Sequence, residues 1–279
     1  MGVLFDSHAH TSCLSYCCDP EITPETYRQA LREHPELAGV AITNHGFATY
    51  FPLETAWAAE FMQNPGMFDR HLDFGNRRLE KHLQEVEPLL AEGIYTGFEV
   101  EMMADGRLTL DPAFRGRLDV LIGSVHFMPG FEPGSAGLQE AWWAHTERLL
   151  DSGIDVLGHP FRWLARNGRV EVTEEMIRRL VRMAKAAGVA LELNSHMRIP
   201  GDVLLLRECM EAGVPVTLAT DSHSLAEIAD LGYPLSVVGA AGLTLAQLPV
   251  WLPRRFRLRG AAAEPAGGCC SSGYVDGGT

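Results

Sequence analysis

The sequence predicts an α/β fold with a mostly parallel sheet, and three observations carry that expectation. Seven short apolar or β-branched runs alternate with longer amphipathic stretches, those stretches carry helix punctuation, and the nucleotide-binding signatures of open sheets are missing. The runs lie at 3–6, 39–43, 95–100, 120–124, 155–158, 190–193 and 216–220. Thr23 followed by Pro24 reads as an N-cap and first helical residue, opening a helix through about Glu33. Further helices are expected at 73–91, 138–150, 174–187 and 202–212. Thr173 caps the helix at 174–187, whose acidic first turn suits the helix dipole, and Gly188 closes it. Gly213 closes the helix at 202–212 in the same way. Strands separated by helices pair in parallel through right-handed crossovers, leaving a closed barrel or an open doubly wound sheet. No G-x-G-x-x-G or G-x-x-x-x-G-K-[ST] follows any strand, which removes the nucleotide-binding versions of the open sheet.

The composition narrows the function classes. The 279 residues carry 23 Lys+Arg against 36 Asp+Glu, a formal charge of −13. Nucleic acid is therefore an unlikely main partner, since surfaces that bind it are usually basic. No apolar run approaches the roughly 20 residues that cross a bilayer, and MGVLFDSHAH has none of the marks of a signal peptide. The expected compartment is the cytoplasm, with reduced thiols. Cys13, Cys17, Cys18, Cys209, Cys269 and Cys270 form no CxxC pair of pairs, so a zinc ribbon is unsupported. Residues 260–279 are rich in Gly, Ala and Ser, and read as a disordered tail after a single domain at 1–259.

Histidine placement carries the chemistry. Of eleven histidines, His8, His10, His45, His126, His159, His196 and His223 each fall at or just after the end of a predicted strand. In an α/β barrel those strand ends form one rim, where the chemistry of such folds sits. Any one of them reads more simply as a satisfied loop or core histidine, but seven from separate segments, beside carboxylates, read as a metal cluster. Residues i and i+2 of a strand point the same way, so His8 and His10 can hold one ion together. The same periodicity puts Asp6 on their face, where its carboxylate would orient an imidazole. Asp221 and His223 repeat the pattern, and Glu99 and Glu101 put two carboxylates at a strand end. One of these can bridge two cations, while Glu101 reads equally well as a solvated loop acid.

The ordered set DSHAH, TNHG, GFEVE, GSVHF, GHPFR, ELN and ATDSH resembles the polymerase and histidinol phosphatase (PHP) superfamily over about residues 1–225. The resemblance implies a distorted (βα)7 TIM-like barrel with two or three divalent metal ions (Zn, Mn or Fe) at the strand carboxyl ends. It implies hydrolysis of a phosphate ester, on a small phosphorylated metabolite. Carried over by position, His8, His10, Glu99 and Asp221 would hold one ion. Glu99 would bridge to a second held by His126 and His159, and His45 and His223 would hold the third. The chain departs from the family where an Asp or His usually stands seven or eight residues beyond the first histidine. Ser15 and Tyr16 occupy those positions, with Cys13, Cys17, Cys18 and Asp19 nearby. The third site is then weaker, completed by Cys17 or Asp19, or absent; a thiolate there would favour zinc or iron. The plainer account makes these cysteines small buried apolar groups. Asn44 stands where a charged residue is common.

For the reaction, Arg162 and Arg198 follow strand ends and suit phosphate oxygens, their plainer reading being surface charge. His196, Asp221 or His223 would protonate the leaving oxygen. Phe47, Trp57, Phe127, Phe131, Trp142, Trp143 and Trp163 supply aromatic surface, part pocket wall and part core. A phosphomonoesterase leads. A phosphodiesterase or nucleotide phosphatase on the same site is the alternative, and a polymerase-associated nuclease or an inactive scaffold ranks below both.

Overall fold

The computed structural model describes residues 2–258, so the expected tail at 260–279 lies outside the described residues. Seven strands pair in parallel, each with the next in sequence, and the seventh closes on the first: β1 (Leu4–Ala9), β2 (Leu37–Ile42), β3 (Ile94–Val100), β4 (Val120–Gly123), β5 (Val156–Leu157), β6 (Ala190–Asn194) and β7 (Val216–Ala219). The barrel, not the open sheet, is the answer to the choice left by periodicity. Around it lie α1 (Pro24–Glu33), α2 (Gly46–Tyr50), α3 (Leu53–Ala58), α4 (Gly66–Val86), α5 (Leu138–Leu150), α6 (Arg162–Arg166), α7 (Glu174–Ala187), α8 (Asp202–Ala212) and α9 (Gly232–Ala240).

The caps read from sequence are formed. The Thr173 side chain accepts from the Met176 N–H, and Gly188 ends α7 at φ 70°, the left-handed conformation that glycine adopts without cost. Pro24 sits at the start of α1, where the Thr23 N–H donates to Thr26 Oγ1 at 3.0 Å. The helix expected at 73–91 is displaced. It begins at Gly66 after Pro65 and gives way to a 3-10 turn over Glu87–Glu92, where Pro88 cannot supply an N–H. Phe47 lies in α2, and Phe47, Tyr50 and Phe51 are fully buried.

Two layers fill the barrel. Phe5, Ala41, Tyr95, Val120, Ile122, Val156 and Ala190 pack together although they come from six different strands, which only the barrel interior permits. Trp251, Leu252 and Phe256 close this apolar layer from below, the returning chain being tied on by the Trp251 N–H to the Val216 carbonyl. Above it lie His8, Glu99 and Glu192, each buried.

A bulge in β1 joins the layers. Asp6 pairs with Val40 and Ala9 with Ile42, so three steps along β1 are matched by two along β2. The extra residue reverses the alternation, turning His8 and His10 to the interior side that Phe5 occupies lower down. Asp6 therefore does not share their face. Its carboxylate accepts from Thr220 N at 3.0 Å and Thr220 Oγ1 at 2.7 Å, pinning β7 to β1. The imidazole-orienting role expected for it is corrected on that ground.

Candidate metal centre

Glu99, at the end of β3, is the hub. It is fully buried and has five imidazoles around it. Oε2 lies 2.5 Å from His45 Nδ1, 3.5 Å from His8 Nε2 and 3.7 Å from His10 Nε2; Oε1 lies 2.9 Å from His159 Nε2 and 3.3 Å from His126 Nε2. Asp221 Oδ1 completes the inner group at 3.0 Å from His10 Nε2 and 3.6 Å from His8 Nε2. Burying carboxylates and imidazoles at such density is costly unless each is paired or coordinated. Yet His8 Nε2, His10 Nδ1, His45 Nδ1 and Glu99 Oε2 are buried without a hydrogen-bond partner. Buried donor atoms gathered without hydrogen-bond partners are what a cation-binding centre presents, and the donor set fits divalent metal.

The donor atoms fall into overlapping triads: His8, His10 and Asp221; His45, Glu99 and His126; His10, His45 and His223. The first holds three of the four residues that the resemblance groups together, and Glu99 falls in the second. The second brings His45 to Glu99 and His126, where the resemblance grouped it with His223 alone. His45 faces both, since its Nε2 lies 3.3 Å from His223 Nε2.

A ring of partners fixes the imidazoles. His8 Nδ1 meets Glu192 Oε1 at 2.8 Å and His126 Nδ1 meets Glu101 Oε1 at 2.7 Å, each leaving Nε2 to face the centre. Glu101 is buried and accepts from Thr109 Oγ1 at 2.9 Å, so it is an orienting group and not a solvated loop acid. Burial, reinforced by Glu99, pushes its carboxyl up to about 8. Glu192 also takes the His159 N–H at 2.5 Å and the Asn194 amide at 2.9 Å, and the same amide donates to Asp221 Oδ2 at 3.1 Å. His159 and Asp221 both sit at positive φ, 26° and 52°. Strained backbone of this kind persists where the surroundings hold it, and here it turns two side chains inward. Asn44, beside His45, does not bear on the centre: its Oδ1 takes the Thr11 N–H at 2.7 Å and the Ser15 hydroxyl at 3.2 Å.

The centre opens into a cavity of about 640 Å³. His45, His126, Asp221 and His223 form its floor, and Phe47, Trp57, Phe127 and Trp163 stand along its walls. Trp142 and Trp143 are instead buried against Phe161, and Phe131 lines a separate hollow. Arg162 lines the cavity with its Nε unpaired. His196 lines it too, its Nδ1 held by Glu227 Oε1 at 2.6 Å. Arg198 is not brought there. It is exposed, donates from Nε to the Ser195 carbonyl at 2.9 Å and lies over Tyr233 at 4.9 Å, which corrects its expected place at the mouth.

A closed parallel barrel gathering buried histidines and carboxylates at its carboxyl rim is an architecture in which barrel enzymes place a metal site. The PHP domain model matches residues 6–196, and the chain belongs to that family. It is 26% identical over 252 residues to a probable phosphatase of Syntrophotalea carbinolica, covering 87% of this chain and 90% of that protein. It is 27% identical over 160 residues to the DNA polymerase/3'-5' exonuclease PolX of Bacillus subtilis, covering 55% of this chain and 27% of that one. Its fold matches the histidinol phosphate phosphatase of Lactococcus lactis, solved with zinc, L-histidinol and phosphate, at a TM-score of 0.53 and 19% identity, covering 86% of this chain and 94% of that. A phosphoesterase is the enzyme class that this family and this centre support. No helix among the described residues is long and apolar enough to cross a membrane.

Proposed function

We propose that the chain is a phosphomonoesterase acting on a small phosphorylated metabolite, with histidinol phosphate one candidate and two or three divalent ions as cofactor. The carrying observation is Glu99, buried among five imidazoles, two of which, His45 and His126, form the floor of a cavity sized for a small molecule. His8, His10, Glu99 and Asp221 would hold one ion, Glu99, His126 and His159 a second, and His45 and His223 a third. Such ions, when bound, acidify water and offset phosphate charge, which answers the difficulty an acidic chain has with an anionic substrate.

The chain's own residues do the rest. Arg162 reaches the phosphate oxygens, its guanidinium fork suited to two at once. His196 protonates the leaving oxygen as the P–O ester bond breaks, and Glu227 holds the ring for that transfer. Asp221 and His223 are the alternative acids. Phe47 and Trp57 flank the space left for the organic part of the ester.

Phosphodiester or nucleotide hydrolysis on the same centre is the second reading, favoured by the match to the exonuclease-bearing polymerase. The charge of −13 weighs against a nucleic-acid groove. The test is a panel of phosphomonoesters, histidinol phosphate included, and phosphodiesters with Zn²⁺ or Mn²⁺ added. Hydrolysis lost in His10→Ala supports the proposal, and metal-saturated protein inert toward both ester classes overturns it. Within that panel, Arg162→Ala raises KM and Arg198→Ala leaves it unchanged.

A further inference from the structure

The segment from Cys13 to Asp19 crosses the outer edge of the centre, and its tethers decide which side chain faces inward. Ser15 donates its hydroxyl to Asn44 and Tyr16 donates its own to the Phe51 carbonyl at 2.9 Å. Cys13 turns the other way, its Sγ 2.8 Å from Thr11 Oγ1 and 3.5 Å from His82 Nδ1. Asp19 is occupied by β7's loop: its N–H donates to the His223 carbonyl at 2.8 Å and its Oδ2 accepts from the Leu225 N–H at 3.0 Å. That pair of bonds lays the segment directly against His223. Cys17 is the residue left facing the cavity, which it lines together with His45 and His223.

Sγ of Cys17, Sγ of Cys18 and a ring nitrogen of His223 all lie within 4.8 Å of one another. His223 spends its Nδ1 hydrogen on the Asp221 carbonyl at 2.7 Å, so its Nε2 carries a lone pair. That lone pair faces His45 Nε2 at 3.3 Å, and the sulfur stands beside them. A sulfur and two imidazole nitrogens thus stand at the accessible end of the centre, the kind of mixed donor set that zinc takes.

We infer that Cys17 is a thiolate ligand of a divalent cation held jointly with His45 and His223. This corner is then a mixed sulfur and nitrogen site that selects zinc or ferrous iron over magnesium and manganese, because soft thiolate favours the former. The inference rests on the metal-centre reading above but not on the identity of the ester. Cys18 Sγ lies beside that sulfur.

Cobalt substitution of the full chain reads the assignment directly. Protein loaded with Co²⁺ should show a sulfur-to-cobalt charge-transfer band in the near ultraviolet, lost in Cys17→Ser and kept in Cys13→Ser and Cys18→Ser. In zinc-loaded protein, X-ray absorption should find a sulfur neighbour at about 2.3 Å, absent from Cys17→Ser. Cys17→Asp should restore the metal content without the band. Should the serine variant fail to fold, alkylation of the wild type decides the matter: zinc should protect Cys17 and leave Cys13 labelling unchanged. A band that survives Cys17→Ser, or Cys17 labelling equally with and without zinc, overturns the inference. A band without any phosphate-ester hydrolysis would leave the cysteine ligand standing and sink the proposed activity instead.

Discussion

The lower and upper halves of the barrel interior are built from the same strands with opposite chemistry. Strand β1 places Phe5 below and His8 above, with His10 just past its end; β3 places Tyr95 below and Glu99 above; β6 places Ala190 below and Glu192 above. Below, aromatic edges meet faces, with Phe5 5.2 Å from Tyr95 and 5.7 Å from Phe256. Such packing favours the folded chain through burial and contact. Above, buried titratable groups crowd together, several without a partner, and burial there costs stability until a cation compensates. The difference separates fold maintenance from chemistry along a single axis, and substitutions in the two halves should fail in different ways.

The largest expected effect is at the hub. Glu99→Gln keeps the shape but removes the charge shared by five imidazoles. Hydrolysis should fall by about 10³-fold or more, metal content per chain should drop, and the metal-free protein should melt no lower than the wild type. Phe5→Ala should do the reverse. It should lower stability by about 3–5 kcal/mol while leaving kcat per folded molecule intact. Calorimetry of metal-free protein beside metal analysis distinguishes the two outcomes. If Glu99→Gln proves as destabilising as Phe5→Ala, the upper half is structural and the contrast fails.

Effects should be smaller where one residue acts through another. Glu101→Gln keeps a side chain of the same size beside His126 but exchanges the carboxyl oxygens, which take the ring's Nδ1 and the Thr109 hydroxyl, for an amide that can present an N–H to either. Metal affinity should weaken by about 10–100-fold, with stability nearly unchanged. A titration with a competing chelator would measure it, and wild-type affinity would return Glu101 to the role of a buried acid with no bearing on the centre.

How much of this was legible beforehand follows from the range of the signals. The strand-end histidines and Glu99 could be read because each carries its own local mark, a polar residue ending an apolar run. The seven strands and most caps were readable for the same reason. Glu192 stands in the ELN motif, but its role could not be read, since its partner His8 is 184 residues away. Glu227 resembled any acid of a polar loop until His196 was found on it. Asp6 was put on the wrong face because period-two alternation holds only for an unbroken strand, and the β1 bulge leaves no trace in composition. Arg198 was placed by its distance from a strand end, which says nothing of where a long side chain turns. The positive φ angles of His159 and Asp221 belong to neither glycine nor a turn motif, so nothing local announced them.

The smallest effect belongs to His82, which sits beside the rim without facing it. It is buried between Cys13 and Asn44, whose amide lies 3.3 Å from its Nε2, and burial pushes its pKa down to about 4 from an ordinary 6.5. The unfolded chain therefore binds a proton between about pH 6.5 and about pH 4 that the folded chain refuses. The stabilising contribution is complete above pH 6.5 and is lost as the pH falls through that window. Going from about pH 7.5 to about pH 5.5, the loss should be about 1.4 kcal/mol. His82→Gln retains an acceptor for Asn44 but cannot titrate, so its stability should fall less steeply with acid than the wild type's. Denaturant midpoints of both proteins with zinc in excess, compared at the two pH values, give that difference directly. The rim histidines titrate alike in both and cancel, so equal slopes would mean that acid sensitivity resides wholly in the upper barrel.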